Sequence, residues 1–141
     1  MSSADHLPST STVRSMASDY LNHRLVVIKA GTSVLTNAPE HQALNIRLMG
    51  DLVRQICVLR SWNAEVVLVT SGAIAAGREA LGSVQNEVNR DITTRQVMAA
   101  VGQSRLMHTY QELFATHGYQ VAQTLLTTGD LTDRQSYLNL R

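Results

Sequence analysis

The sequence predicts an α/β fold, a three-layer α/β/α sandwich around a mainly parallel sheet. Two short runs, 25–28 (Leu-Val-Val-Ile) and 66–69 (Val-Val-Leu-Val), are unbroken and mostly β-branched, the character of strands covered on both faces. Residues 119–126 read as a third strand, and the segments between the strands carry helical periodicity. Strand, helix, strand, helix, helix, strand, helix is the order of a parallel sheet flanked by helices. A chain of 141 residues suits one domain on the usual scale of ~100–200 residues, with room for a core of ordinary size.

Residues 1–23 stand apart. Eight of the first eighteen are Ser or Thr, and the apolar residues follow neither period. This predicts a disordered Ser/Thr-rich leader, unable to bury enough surface to offset its ordering entropy. It lacks the apolar core of a secretory signal. Arg14 and the serines would suit a transit peptide, but Asp5 and Asp19 oppose one.

The folded part, 24–141, opens with the strand ending near Gly31. Asn45 is placed to cap a helix whose apolar positions Met49, Leu52, Val53, Ile56 and Leu59 share one face; Gly50 weakens it by about 1 kcal/mol relative to Ala. The second strand runs through Thr70-Ser71-Gly72 into an Ala-rich helix from 73 to about 81. Asn, Asp and Gly make 82–92 a loop. Thr93 or Thr94 then starts a longer helix, with Val97, Val101, Tyr110, Leu113 and Phe114 inward and Gly118 as its stop. After the third strand, Asp133 caps a last helix in which Tyr137 and Leu138 begin an apolar face. That helix starts a few residues before Arg141, so a three-stranded sheet ending in mid-pattern reads as the first half of a larger fold.

Composition narrows the function classes. No stretch approaches the ~18 consecutive apolar residues of a membrane span. A formal net charge of +1 with 16% charged residues argues against a strongly basic nucleic-acid binder, and Trp62 and the tyrosines lack the interleaving that stacks single strands. Cys57 is the only cysteine, which excludes an internal disulfide framework and suits a reducing compartment. His6, His23, His41, His108 and His117 show no metal-ligand spacing, so no metal site is expected. Of the twelve Lys and Arg residues, only Lys29 is lysine.

Two strand ends could carry chemistry, since ligands of open α/β sheets bind beyond the carboxyl ends of strands. In Lys29-Ala30-Gly31-Thr32-Ser33, glycine permits positive φ and close approach. Hydroxyls and free N–H groups form an anion nest, and the lysine adds a compact charge. The order is not that of a Walker A loop. A strand ending in a glycine turn with a snorkelling lysine fits the same residues. In Thr70-Ser71-Gly72-Ala73, a strand passes directly into a helix, whose amides and dipole would stabilise a carboxylate or phosphate. There too a plainer reading fits, with Ser71 as a helix cap and small residues for close packing. Asp130, Asp133 and Arg134 form a capping cluster at a turn, with a solvated pair.

Four segments carry a family resemblance. Residues 26–36 (Val-Val-Ile-Lys-Ala-Gly-Thr-Ser-Val-Leu-Thr) resemble the opening strand and phosphate loop of the amino acid kinase family, in its glutamate-phosphorylating branch. Residues 67–79, from Val67 through Thr70-Ser71-Gly72-Ala73 to Glu79, look like its second motif. Arg95-Gln96 with 99–107 (Ala-Ala-Val-Gly-Gln-Ser-Arg-Leu-Met) looks like the third. Gln123-Thr124-Leu125-Leu126-Thr127, with Asp133-Arg134 and Tyr137-Leu138-Asn139, looks like the fourth.

The resemblance implies ATP-dependent phosphorylation of the γ-carboxylate of L-glutamate to γ-glutamyl phosphate, the first step of proline biosynthesis. It implies that Lys29 is catalytic and contacts phosphate, that Gly31, Thr32 and Ser33 hold the ATP phosphates, and that Ser71, Gly72 and Ala73 bind glutamate. Mg²⁺ with ATP, a cytoplasmic location, a homo-oligomer of the complete protein and proline as a feedback ligand follow from it as well. So does little or no kinase activity for these 141 residues alone, because the family's adenine-binding segments and remaining glutamate ligands lie beyond the matched motifs. A non-catalytic module holding an acidic ligand at the Ser71 turn is the alternative from another functional class.

Overall fold

A computed structural model of the chain describes residues 25–36, 43–82 and 92–140, apart from the side chains of Tyr137 and Leu140. The leader predicted over 1–23, most of the predicted loop, and His6, His23 and His41 lie outside the described residues.

The first strand, β1 (Leu25–Ala30), leads through a single helical turn, α1 (Thr32–Leu35), to the helix α2 (Ile46–Ser61). Asn45 caps α2 as predicted, its side-chain oxygen accepting from the Leu48 N–H at 3.0 Å. Met49, Val53 and Ile56 are buried along one face, with Leu52 half-buried beside them. The chain then returns as β2 (Glu65–Thr70), which pairs with β1 in parallel, Leu25 opposite Glu65 through Ala30 opposite Thr70. This β–α–β unit realises the predicted parallel pairing.

The strands are covered on one face among the described residues, where the sequence predicts two. Val26, Ile28, Val66 and Leu68 are half-buried on the side of the core. Leu25, Val27, Val67 and Val69 point the other way, and Val27 is 62% exposed. An unbroken apolar run puts apolar side chains on both faces of a strand, so it cannot tell which face a neighbour covers.

Two helices follow β2: α3 (Ala73–Leu81) and α4 (Ile92–Ala115). They touch backbone to backbone. A Cβ on Gly77 would overlap the Met98 carbonyl, and one on Gly102 would overlap the Ala73 carbonyl and the Gly77 nitrogen. That contact fixes the register of α4. Its buried stripe is Thr94, Met98, Gly102, Leu106, Tyr110 and Phe114, every fourth residue. Tyr110, Leu113 and Phe114 are inward or half-buried as predicted, but Val97 and Val101 are exposed. Here a glycine rather than a valine marks the buried side, because a missing side chain is what lets two helices approach.

The helix stops at a turn around Gly118 (φ +76°), with the Tyr119 N–H bonded to the Phe114 carbonyl at 3.1 Å. Residues 119–126, predicted as a strand, take no strand pairing among the described residues. Tyr119 and Val121 lean on the core, and the Arg60 guanidinium lies 5.9 Å from the Tyr119 ring centroid. A groove of about 750 Å³, lined by residues 66–70 and 119–126 among others, lies between the segment and β2.

Two short helices, α5 (Thr128–Thr132) and α6 (Arg134–Leu140), close the described chain. A capping box starts α5, with Asp130 in the capping role expected of it and Thr127 as its partner. The Asp130 carboxylate accepts from the Thr127 hydroxyl and N–H at 2.6 and 2.7 Å, while the Asp130 N–H donates back to the Thr127 hydroxyl. Asp133 caps α6 as predicted, accepting from the Ser136 N–H at 2.8 Å. These bonds hold both carboxyls below their ordinary range, through the Thr127 hydroxyl for Asp130 and the Ser136 N–H for Asp133. Leu138 is exposed.

Candidate functional site

Parallel pairing brings the carboxyl ends of β1 and β2 side by side, and the Ser71 N–H donates to the Ala30 carbonyl at 3.0 Å, tying the two ends together. Beyond Ala30 the chain enters α1, with Gly31 as its N-cap in extended geometry (φ −80°, ψ 165°). The Gly31 carbonyl accepts from the Val34 and Leu35 N–H groups at 3.0 and 3.1 Å. The Thr32 and Ser33 N–H groups are uncommitted among the described residues. Gly31 therefore does not use positive φ. The residue before a helix takes extended backbone, and a Cβ there would meet nothing within 4 Å. The open space that would admit a ligand is retained.

Beyond Thr70 the geometry differs. Gly72 is buried at φ +108°, the left-handed region, as N-cap of α3, and the Ala76 N–H bonds to its carbonyl at 2.9 Å. The Leu44 side chain would lie 3.2 Å from a Cβ at this position. Both conformation and space favour glycine. The cap is Gly72, with no side-chain capping bond, so Ser71 does not cap the helix. Its hydroxyl is in no hydrogen bond among the described residues.

These turns frame a cleft of about 300 Å³, lined by Thr32 from the first strand end, Thr70 to Ala75 from the second, and Ala99, Gln103 and Leu106 from α4. Of the predicted residues, Thr32, Ser71, Gly72 and Ala73 meet there. Lys29, Gly31 and Ser33 flank it without lining it: Lys29 is exposed, opposite Val69 on the uncovered face of the sheet. Sequence reasoning missed Gln103 as a site residue. The signal was available in its spacing, because Ala99, Gln103 and Leu106 recur on one face of α4, but placing that face at the strand ends needed the Gly77–Gly102 contact.

The cleft presents hydroxyl groups, backbone amides at the start of α3 and one carboxamide, with no carboxylate among its described lining residues. Such a surface suits an anion. Among the described residues no group of three or more His, Cys, Asp or Glu could hold a metal ion, and no helix is long and apolar enough to cross a membrane.

A parallel β–α–β unit with a cleft at its strand ends defines a class of α/β domain. Residues 24–141 match the Amino acid kinase family, and the chain belongs to that family. Its relatives are more particular. It is 49% identical over 119 residues to the glutamate 5-kinase of Dehalococcoides mccartyi (strain CBDB1). It is 50% identical over 119 residues to that of Herpetosiphon aurantiacus, and 50% identical over 114 residues to that of Synechococcus elongatus. The alignments cover 84%, 84% and 81% of this chain but 31%, 31% and 30% of the relatives, so the chain spans about a third of the length of the curated relatives it matches.

Proposed function

We propose that the chain supplies both strand-end turns of a kinase that transfers the terminal phosphoryl group of ATP to the γ-carboxylate of L-glutamate, yielding γ-glutamyl phosphate for proline biosynthesis. The observation that carries this reading is the pair of strand ends held together beside one cleft that presents hydroxyls and helix-start amides. Identity of about 50% to three glutamate 5-kinases narrows the substrate.

In this reading the acceptor carboxylate is bound at the Ser71 hydroxyl and the amides of Gly72 and Ala73, and the phosphates at Lys29, Gly31, Thr32 and Ser33. A γ-carboxylate is already ionised at neutral pH, so the attacking oxygen needs no general base. What remains for the protein is alignment of acceptor and phosphorus and neutralisation of charge. Lys29 suits the neutralising role, because its ammonium is a compact charge on a flexible stem, whereas arginine would present a broad planar fork. Mg²⁺ would arrive with the nucleotide, held by phosphate oxygens and water, and screen the phosphates. A cytoplasmic setting, a homo-oligomer of the complete protein and feedback by proline belong to the same proposal.

The test is ATP-dependent γ-glutamyl hydroxamate formation by a chimera in which residues 24–141 replace the matching segment of the Dehalococcoides relative. Glutamate should be the acceptor. Activity with aspartate or N-acetylglutamate but not with glutamate would overturn the substrate assignment. Binding of glutamate without any turnover by the folded chimera would favour the non-catalytic module.

A further inference from the structure

We infer that Tyr110 is a positioning residue, which holds the Ser71–Gly72 turn in its ligand-accepting shape through the Thr70 hydroxyl. Tyr110 is 2% exposed, and its hydroxyl lies 2.8 Å from Thr70 Oγ1. Thr70 Oγ1 in turn donates to the Ser71 carbonyl at 3.2 Å. A threonine hydroxyl has one hydrogen and also accepts, so both bonds form together when Tyr110 donates to Thr70 and Thr70 donates to the Ser71 carbonyl. The bonded chain then joins the Tyr110 hydroxyl, the Thr70 hydroxyl and the Ser71 carbonyl.

That carbonyl belongs to the peptide joining Ser71 to Gly72. Its orientation fixes ψ of Ser71 and the direction of the Gly72 N–H, next to the one left-handed residue of the turn. The Tyr110 ring is itself held, packed 6.4 Å from the Phe114 ring in the core. A rigid aromatic thus reaches from α4 to the strand end. Ala99, Gln103 and Leu106, which line the cleft, occupy the same face of that helix. One helix face then both walls the cleft and sets the backbone that opens into it. The inference that this matters to a ligand rests on the proposed glutamate-binding role of the Ser71 turn.

Amide hydrogen exchange on the 141-residue chain separates the two claims. Tyr110→Phe keeps the ring and removes the donor. It should speed exchange at the Ser71 and Ala76 amides about tenfold, with core amides such as those of Val53 and Leu106 unchanged. Thr70→Val should do the same, and Thr70→Ser should restore wild-type rates. Wild-type exchange at Ser71 and Ala76 in Tyr110→Phe, or a rise matched by every core amide, would overturn the inference.

Calorimetric titration of the glutamate 5-kinase chimera with L-glutamate, in the wild-type and variant segments, is the second arm. Where wild type binds, Tyr110→Phe should weaken binding about fivefold, the loss of one neutral hydrogen bond. Unchanged affinity despite faster exchange would overturn the ligand-positioning role. Absence of binding by wild type alongside the expected exchange pattern would support the positioning of the turn and count against the glutamate reading instead.

Discussion

At the residue scale, the second strand end depends on Gly72 in two ways, by its left-handed φ of +108° and by the Leu44 side chain 3.2 Å from where a Cβ would stand. Gly72→Ala should cost about 1–2 kcal/mol for the backbone alone, read as a lower urea midpoint at unchanged slope. Gly31 has neither constraint, so Gly31→Ala should leave the midpoint near wild type. Both glycines look alike in the sequence, each following a strand and preceding a hydroxyl or small residue. Conformation distinguishes them, and it depends on what surrounds each turn. Ser71, a candidate from sequence, lines the cleft. The structure narrows its two readings, because Gly72 takes the cap and the Ser71 hydroxyl is left over.

At the element scale, helix entry points were the most legible feature. Asn45 and Asp133 cap their helices as their positions predict, since a cap is a local bond between a side chain and an amide three residues on. Helix faces were less legible. In α4 the buried stripe runs through Gly102, while Val97 and Val101 lie outside it. Hydrophobicity identifies a face only where side chains fill the contact, and here backbone fills it. Gly102→Ala should cost about 3 kcal/mol, the upper end of overpacking, because the overlap is with the Ala73 carbonyl and Gly77 nitrogen and not with a movable side chain. Gly50→Ala, whose nearest neighbour is Leu113 at 3.8 Å, should instead stabilise by up to about 1 kcal/mol.

The two terminal helices carry a pH signature. Asp130 and Asp133 have lowered carboxyl pKa values in the folded chain, from their bonds to Thr127 and Ser136. Their contribution is complete above the ordinary carboxyl value of about 3.9 and is lost as pH falls through the lower folded values. Helical NMR shifts over 128–140 should fade below about pH 4 while those of α2 persist. Asp130→Asn with Asp133→Asn should abolish that acid dependence.

At the scale of the whole molecule, the α/β class and the parallel β–α–β unit were readable from two apolar runs with a helix between them. The exposed sheet face and the unpaired 119–126 segment were not, because strand pairing and face covering are decided by distant neighbours. In the proposed function the two strand ends serve one reaction and divide its labour: charge on the transferring group at the first, hold on the acceptor at the second. Steady-state kinetics of Lys29→Ala and Ser71→Ala in the glutamate 5-kinase chimera tests this division most directly. Lys29→Ala should lower kcat about a hundredfold with little change in the glutamate KM, and Ser71→Ala should raise the glutamate KM about tenfold. Wild-type kinetics in both variants, or the same change in both, would contradict the division.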